Sequence, residues 1–256
     1  MSKGRKTVKI SILGLDGAGK STTVAYFTKM FYKQYFIVKT GRSVYYFDKN
    51  SGEKIELFTD KLKKIDEKYA KYEQKKSRLG IVWASICYVF ALRFIERYII
   101  RKFKPEIIIA SRDISVDTVI YVDYYIPFMK YIPKPILRFF IRLFSLFPKK
   151  SDLIIYLQLD PKESIKRIKK RELKKKVDKS VMRIKSRYRH ENFKDLKKIS
   201  ENYDHYLQDY LSKKKKVTVV YIDANKMHTK EKTEFCEKII HSFLNKREAQ
   251  RKKNIK

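Results

Sequence analysis

The chain has 256 residues, of which 43% are hydrophobic and 35% charged, which is enough apolar material for a substantial core and excludes a largely disordered protein. Its 62 Lys and Arg against 28 Asp and Glu leave a net charge of +34. Such a field attracts phosphate-bearing partners, whether nucleotides, nucleic acids or membrane surfaces. Cys87 and Cys236 lie in unrelated contexts, so neither a disulfide framework nor a structural zinc site is expected. The N-terminal residues lack the apolar segment and cleavage site of a signal peptide, which predicts a cytoplasmic protein.

No Gly/Ser-rich linker divides the chain, so we predict a single domain over residues 1–245, followed by a basic tail over 246–256. The longest uncharged stretch, Leu79 to Leu92, has about 14 residues, against roughly 20 for a membrane span. It therefore predicts a buried helix.

The predicted elements alternate between strands and helices along the chain. A β-branched strand over 8–13 leads through a glycine-rich loop into a helix that begins near Lys20. The further elements are a short strand over 36–39, an amphipathic helix over 58–76, an apolar helix over 79–100, a strand over 107–110, a strand over 152–159, a charged helical region over 161–211 and a strand over 217–222. This order predicts an α/β fold with a central parallel sheet of about five strands, helices on both faces and ligands at the carboxyl ends of the strands.

The loop between the first strand and the first helix, residues 14–21, reads GLDGAGKS and satisfies the phosphate-binding pattern G-x-x-x-x-G-K-[ST] in the required context. Its backbone N–H groups would surround a polyphosphate, Lys20 would reach the β- and γ-phosphates, and the Ser21 hydroxyl would bind Mg²⁺. The motif therefore predicts a P-loop NTPase fold that binds ATP and Mg²⁺; a glycine turn that only caps a helix is the alternative. The predicted nucleotide-binding residues are Gly14, Asp16, Gly17, Ala18, Gly19, Lys20, Ser21 and Thr22.

The loop GLDGAGKST resembles that of the thymidylate kinases, and further stretches follow in the order that this family would place them. The resemblance covers roughly residues 8 to 225 and rests on FALR at 90–93, IIIASR at 107–112, Asp117-Thr118, the strand that ends in Leu159-Asp160-Pro161, Arg167 and Arg171, Tyr203, and Ile222-Asp223-Ala224. It implies a homodimeric enzyme that transfers the γ-phosphoryl group of ATP to a nucleoside monophosphate, with dTMP the first candidate.

The resemblance also implies roles for individual residues. Lys20, Asp16, Arg112, Arg167 and Arg171 would be catalytic, with the two later arginines in a basic lid around 162–190. The acceptor would be bound by Arg42, Arg93, Arg112 and Asp117.

Two features depart from the family pattern. Ser111-Arg112 stands where the family has Asp-Arg, with the nearest carboxylate at Asp113, so the usual magnesium contact is not expected in its usual place. The Arg-Glu-Pro stretch after the second strand is absent, and Arg42 is the nearest basic residue. Because that stretch orients the monophosphate, its loss weakens dTMP as the acceptor more than it weakens phosphoryl transfer.

Several of these side chains also have ordinary structural explanations. Arg112 could form a salt bridge at a strand end, and Arg93 could extend its head to solvent or pair with Glu96 or Glu163. Arg167 and Arg171 could belong to a solvated helix face, and Asp16 could bond its own turn.

Residues 135–147 form a basic amphipathic pattern that favours either a helix packed on the domain or a second subunit, or a peripheral contact with an anionic membrane. The net charge also allows non-specific nucleic-acid binding, and a nucleic-acid-binding protein with a regulatory nucleotide site is one alternative. A P-loop kinase for a sugar or lipid acceptor is the other.

Overall fold

The computed structural model describes residues 7–41, 43–75, 77–121, 133, 135, 150–177, 192–211 and 217–253. Its centre is a seven-stranded sheet. The strands are β1 (Val8–Gly14), β2 (Ile37–Thr40), β3 (Val44–Phe47), β4 (Lys54–Leu57), β5 (Ile107–Ala110), β6 (Leu153–Gln158) and β7 (Thr218–Asp223), in the order β4-β3-β2-β5-β1-β6-β7.

Five neighbouring strands, β2, β5, β1, β6 and β7, run parallel, so the predicted α/β architecture is confirmed. The two further strands, β3 and β4, form an antiparallel hairpin on the outer edge of β2. The hairpin turn is stabilised by Asp48, whose carboxylate accepts hydrogen bonds from the backbone N–H groups of Asn50 and Ser51 at 2.9 and 2.8 Å. This hairpin was not predicted from the sequence.

Helices cover both faces of the sheet. They are α1 (Lys20–Phe31), α2 (Thr59–Gln74), α3 (Arg78–Phe103), α4 (Ile114–Ile120), α5 (Pro161–Val177), α6 (Phe193–His205), which continues into a π-helical turn (Tyr206–Leu211), and α7 (Thr229–Lys253). One core joins α1 and α7 to the sheet through Phe27 and Ile240, and a second joins α4 and α6 to the opposite face through Val116 and Leu196. A third core, around Ile99, joins α2 and α3 to β2 and β3.

Strand β1 shows how the chain divides these cores. Val8, Ile10 and Ile12 belong to the core under α1 and α7. Because side chains alternate along a strand, Lys9 and Ser11 point to the opposite, equally buried face. The two polar residues that alternate with apolar ones on this strand are therefore carried into the interior.

Helix α3 is the predicted apolar helix, but it is buried on one side only. Leu92, Ile95 and Ile99 contribute to the core beside α2. Leu79, Trp83, Phe90 and Phe94 are 79%, 65%, 56% and 68% exposed. The prediction of a buried helix therefore holds for the side that meets the sheet and is wrong for the other.

By length and composition alone, Leu79–Phe103 could cross a membrane, and it is the one such helix among the described residues. Its mean hydropathy is 1.7, and 41% of its most apolar window is buried inside the fold. Core helices of soluble proteins pass the same test.

Several predicted features lie outside the described residues. They are Arg42, nearly all of the 135–147 helix and the lid from residue 178 to 190. The predicted start of the basic tail at 246 falls within α7, which continues as helix to Lys253.

Candidate functional site

The phosphate loop connects β1 to α1 at the carboxyl edge of the sheet, where the sequence predicted it. Gly14 has φ +142°, and a Cβ atom there would collide with the Leu157 carbonyl of the neighbouring strand β6. Gly19 is the N-cap of α1 with φ +92°. Glycine is needed at both positions because L side chains rarely adopt these conformations. The amino end of α1 therefore points into the loop, where it favours a bound anion.

Lys20 lies inside the loop. Its Nζ atom donates hydrogen bonds to the Leu15 carbonyl at 2.8 Å and to Asp16 Oδ1 at 3.2 Å. Burial lowers the pKa of the Lys20 ammonium, Asp16 opposes this effect, and the Arg112 guanidinium lowers the pKa further. The Leu15 carbonyl and the Asp16 carboxylate therefore both hold the lysine side chain in the loop.

Arg112 follows the end of β5, and Asp117 lies in the first turn of α4, the helix that comes next. Because β5 pairs with β1 in parallel, its carboxyl end lies at the same edge as the phosphate loop, and the charges of both residues act on Lys20. Asp117 is buried and accepts a hydrogen bond from the Tyr203 hydroxyl of α6 at 3.0 Å. Burial raises the pKa of Asp117 to about 6, although Arg112, Tyr203 and Lys20 each favour its ionised form. This edge thus combines two cations, Lys20 and Arg112, with the Asp117 carboxyl group, whose pKa is raised.

Asp113 has a different role from the one left open by the sequence. It is fully buried and caps α4, accepting a hydrogen bond from the Ser115 N–H at 2.9 Å. Its other oxygen accepts hydrogen bonds from the hydroxyls of Ser11, at 2.9 Å, and Ser151. Asp113 therefore faces the interior of the fold and does not replace the carboxylate that the family pattern has before the arginine.

A buried lysine on β1 completes this interior cluster. Lys9 Nζ lies 3.0 Å from Glu96 Oε1 on α3 and 3.8 Å from Asp113 Oδ1. Burial disfavours its charge, but Asp113 and Glu96 outweigh burial and raise the pKa of Lys9. For Asp113 the opposite charge of Lys9 and the three serine hydrogen bonds likewise outweigh burial and lower its pKa. The cluster connects β1, α3 and α4 behind the site.

The first half of the predicted lid, α5, contacts the phosphate loop. Ser164 donates a hydrogen bond from its hydroxyl to the Asp16 carbonyl. Arg167 Nε donates to Glu163 Oε1 at 3.0 Å, and its Nη2 donates to the Ala224 carbonyl, after β7, at 3.1 Å. Arg167 therefore lies beside the loop with its guanidinium bound to protein groups, while Arg171, one turn later, is exposed.

Arg93 is buried in α3. Burial lowers its pKa, Arg97 lowers it further and Glu96 raises it. The charged groups that act on Arg93 therefore lie on its own helix, α3, and one of them, Glu96, is also the partner of Lys9. Arg42, the other predicted acceptor-binding arginine, lies outside the described residues.

No group of three or more His, Cys, Asp or Glu side chains that could hold a metal occurs in the part of the chain that the structure describes. Ser21, in the first turn of α1, has an exposed side chain. This suits Mg²⁺, which retains several waters and is held mainly by nucleotide phosphates with few protein ligands.

Two lysines at this site were missed by the sequence analysis. Lys9 is visible in principle, because it alternates with apolar residues on β1 and so marks the second face of the strand. Lys232 on α7 donates a hydrogen bond from Nζ to the Ala18 carbonyl at 2.7 Å, across 214 positions of sequence. No local sequence pattern predicts that contact.

The chain is similar to known proteins in structure but not in sequence. The sequence matches no protein-family model and no curated protein. Among solved structures, deoxyadenosine kinase from M. mycoides with dCMP and dCDP is similar with a TM-score of 0.58 and 20% identity, covering 92% of this chain and 100% of that one. The same enzyme with dATP gives a TM-score of 0.56 and 20% identity over 91% and 98%, and with dCTP 0.55 and 21% over 92% and 100%. At this identity the similarity shows that the chain shares the α/β fold of that enzyme.

Proposed function

We propose that this chain is an ATP-dependent kinase that phosphorylates a nucleoside or a nucleoside monophosphate. The observation that carries the proposal is the position of Lys20, Arg112 and Asp117 around a glycine-rich loop at the carboxyl ends of the neighbouring parallel strands β1 and β5. Phosphoryl transfer depends on positioning and on neutralisation of charge, and this edge supplies loop amides and two cations for that purpose.

Each residue has a defined task in this proposal. The loop N–H groups and the amino end of α1 hold the phosphates of ATP. Lys20 exchanges its contacts with Leu15 and Asp16 for phosphate oxygens and neutralises charge between the β- and γ-phosphates. Arg112 grips oxygens of the acceptor phosphate or of the phosphoryl group in transfer with two parallel donors. Bound Mg²⁺, with the Ser21 hydroxyl as its protein ligand, would supply further neutralisation of phosphate charge.

Two observations bear on the acceptor. The resemblance of the loop to thymidylate kinases supports a monophosphate, with dTMP the first to assay. The structural similarity to deoxyadenosine kinases supports a nucleoside with a free hydroxyl group as the second candidate. The absence of the Arg-Glu-Pro stretch, which would orient a monophosphate, favours assaying deoxyadenosine beside dTMP from the start.

The test is steady-state transfer from ATP to a panel that includes dTMP, the other deoxynucleoside monophosphates and the deoxynucleosides. We expect Lys20→Ala to lose nearly all turnover with the preferred acceptor, because Lys20 is the cation that the loop itself directs at the transferred group. Lys29→Ala, at an exposed position later in α1, is the matched control and should behave like the unmodified protein. Turnover of Lys20→Ala within a few-fold of the control would contradict the proposed function.

The panel also separates the alternatives. ATP hydrolysis without transfer to any nucleoside or monophosphate would favour a sugar or lipid acceptor. The homodimer, the cytoplasmic location, non-specific nucleic-acid binding and a membrane contact through residues 135–147 stay predictions.

A further inference from the structure

We propose that Lys232 is a positioning residue for the nucleotide: its ammonium group holds the Ala18–Gly19 peptide so that the phosphate loop presents its N–H groups to the phosphates. This inference rests on the proposed function, because it requires that the loop bind a nucleotide. It concerns a helix at the far end of the chain, outside both the loop motif and the lid.

Lys232 lies in the first turn of α7, and only 2% of it is exposed. Its ammonium donates to the Ala18 carbonyl at 2.7 Å, and no carboxylate in the described part of the chain lies within salt-bridge distance of it. Burial lowers the pKa of Lys232, and the neighbouring Arg167 lowers it further. A buried ammonium without a carboxylate partner is costly to the fold. Arg167 is paired with Glu163, so Lys232 is the cation whose charge a bound anion at the phosphate loop would stabilise.

The contact is made at the point where the loop becomes a helix. Gly19 has φ +92°, and a Cβ atom on it would lie 2.5 Å from Lys232 Nζ and 3.5 Å from its Cε. The end of the lysine side chain therefore fills the space beside the glycine. Lys20 bonds the Leu15 carbonyl from within the loop, while Lys232 bonds the Ala18 carbonyl from α7.

Peptide geometry gives this contact a consequence for binding. The Ala18 carbonyl and the Gly19 N–H belong to one planar trans peptide, so they point in opposite directions. A charged donor that fixes the oxygen of this peptide also fixes the direction of its N–H group. The Gly19 N–H is one of the loop amides that the motif uses to bind phosphate. Lys232 thereby orients a phosphate-binding group without touching the phosphate itself.

A purely structural anchor would behave differently from a positioning residue. If Lys232 served only to attach α7 to the loop, its loss would lower thermal stability and leave the ATP affinity of the folded protein unchanged. If it serves nucleotide binding, its replacement by an apolar side chain of similar length should preserve stability or increase it, because a costly buried charge is removed. ATP affinity should then fall.

The experiment measures calorimetric ATP and ADP dissociation constants, thermal midpoints and separate KM values for ATP and for the acceptor. Lys232→Met keeps the length of the side chain and removes the donor, Lys232→Gln keeps a neutral donor, and Lys230→Met is the control because Lys230 is exposed in the same turn. We expect Lys232→Met to weaken ATP and ADP binding by about 10-fold or more, as for loss of a hydrogen bond from a charged group. Lys232→Gln should retain part of the affinity, and the KM of the acceptor should not change.

ATP affinity of Lys232→Met within about twofold of the control, in a folded protein, would overturn the inference. So would a fall in the thermal midpoint with unchanged ATP affinity, or failure of both Lys232 variants to fold, since these outcomes indicate a structural anchor. If the unmodified protein binds no ATP, the proposed function itself fails, and this result is distinguishable from the others.

Discussion

Replacement of Asp117 by Asn should make the protein more stable at neutral pH. The Asp117 carboxyl is buried in the native state, and burial raises its pKa from 3.8 to about 6. A shift of this size corresponds to about 3 kcal/mol of differential interaction between the protonated and ionised forms. The native protein therefore carries this penalty whenever Asp117 is ionised, and a neutral amide of the same shape removes it.

The sign of the pH dependence follows from proton linkage. Between the ordinary pKa of 3.8 and the native value of about 6, the native state binds more protons than the unfolded state. The contribution of Asp117 to stability is therefore lost as the pH rises through this window. The side-chain amide of the variant does not titrate, so the stability difference in favour of Asp117→Asn should grow by about 2.4 kcal/mol from about pH 4 to about pH 7, the rest of the ~3 kcal/mol falling below pH 4.

Urea unfolding of both proteins, followed by circular dichroism at several pH values, measures this difference, and contributions from other titrating groups largely cancel in it. The Tyr203 hydroxyl can still donate to the amide oxygen of the variant, so its hydrogen bond is not lost. A difference that stays constant with pH, or that turns against the variant as the pH rises, would refute the burial argument.

Turnover should fall in the same variant, because Asp117 is proposed to bind the acceptor. Such opposed effects on stability and activity are common at functional sites.

Two further predictions concern the cations. Arg112→Lys should lower turnover with the preferred acceptor by about 100-fold, because lysine cannot grip two oxygens in one plane, while ATP affinity should change little; normal turnover would make Arg112 a structural residue. Raising salt to about 0.5 M should release any bound DNA or RNA and leave ATP binding at the loop intact, and salt-resistant, sequence-selective binding would instead support the nucleic-acid alternative.

The part of the fold that surrounds the loop could be predicted because its signals are local. The pattern of residues 14–21 requires a strand before it and a helix after it, and β1 and α1 are found there. The spacing of apolar residues likewise predicted α2 and α3 within a few residues of their bounds. The β3–β4 hairpin was missed although DKNSG, at 48–52, is a turn-forming sequence. Its strands have only four residues each, too few for a periodic pattern to be recognised.

The site was predicted less completely because part of it is built by contacts between distant segments. The loop lysine and Arg112 follow directly from a motif and a strand end. The roles of Lys9, Asp113 and Lys232 depend on which strand neighbours which, since their partners lie 87, 102 and 214 positions away in the sequence. Asp113 and Asp117 lie one turn apart on the same short segment, so the sequence does not distinguish them. Only the arrangement of the neighbouring strands and helices makes Asp113 a structural carboxylate and Asp117 a carboxylate of the site.

These two aspartates should respond to neutralisation in opposite ways. Asp113→Asn should destabilise the protein at neutral pH, because the Asp113 carboxylate accepts three serine hydroxyl hydrogen bonds and offsets the buried charge of Lys9. Removing one partner of a buried ion pair costs about 3–5 kcal/mol, and we expect the lower end because Glu96 still pairs with Lys9. Asn is itself a good N-cap, so the start of α4 should survive the change.

The pH dependence distinguishes this prediction from the first. The pKa of Asp113 is lowered below 3.8, so its contribution to stability is present above that value and is lost only as the pH falls through the lowered native pKa. From about pH 4 to about pH 7 the deficit of Asp113→Asn should therefore stay constant, while the gain of Asp117→Asn grows. The measurement is the same urea series at the same pH values. A deficit that varies across this range, or a variant as stable as the unmodified protein at neutral pH, would contradict the assignment of Asp113 to the Lys9 cluster. Burial opposes the charge of both carboxylates, but Lys9 and three serine hydroxyls outweigh it at Asp113, whereas Arg112, Tyr203 and Lys20 do not outweigh it at Asp117.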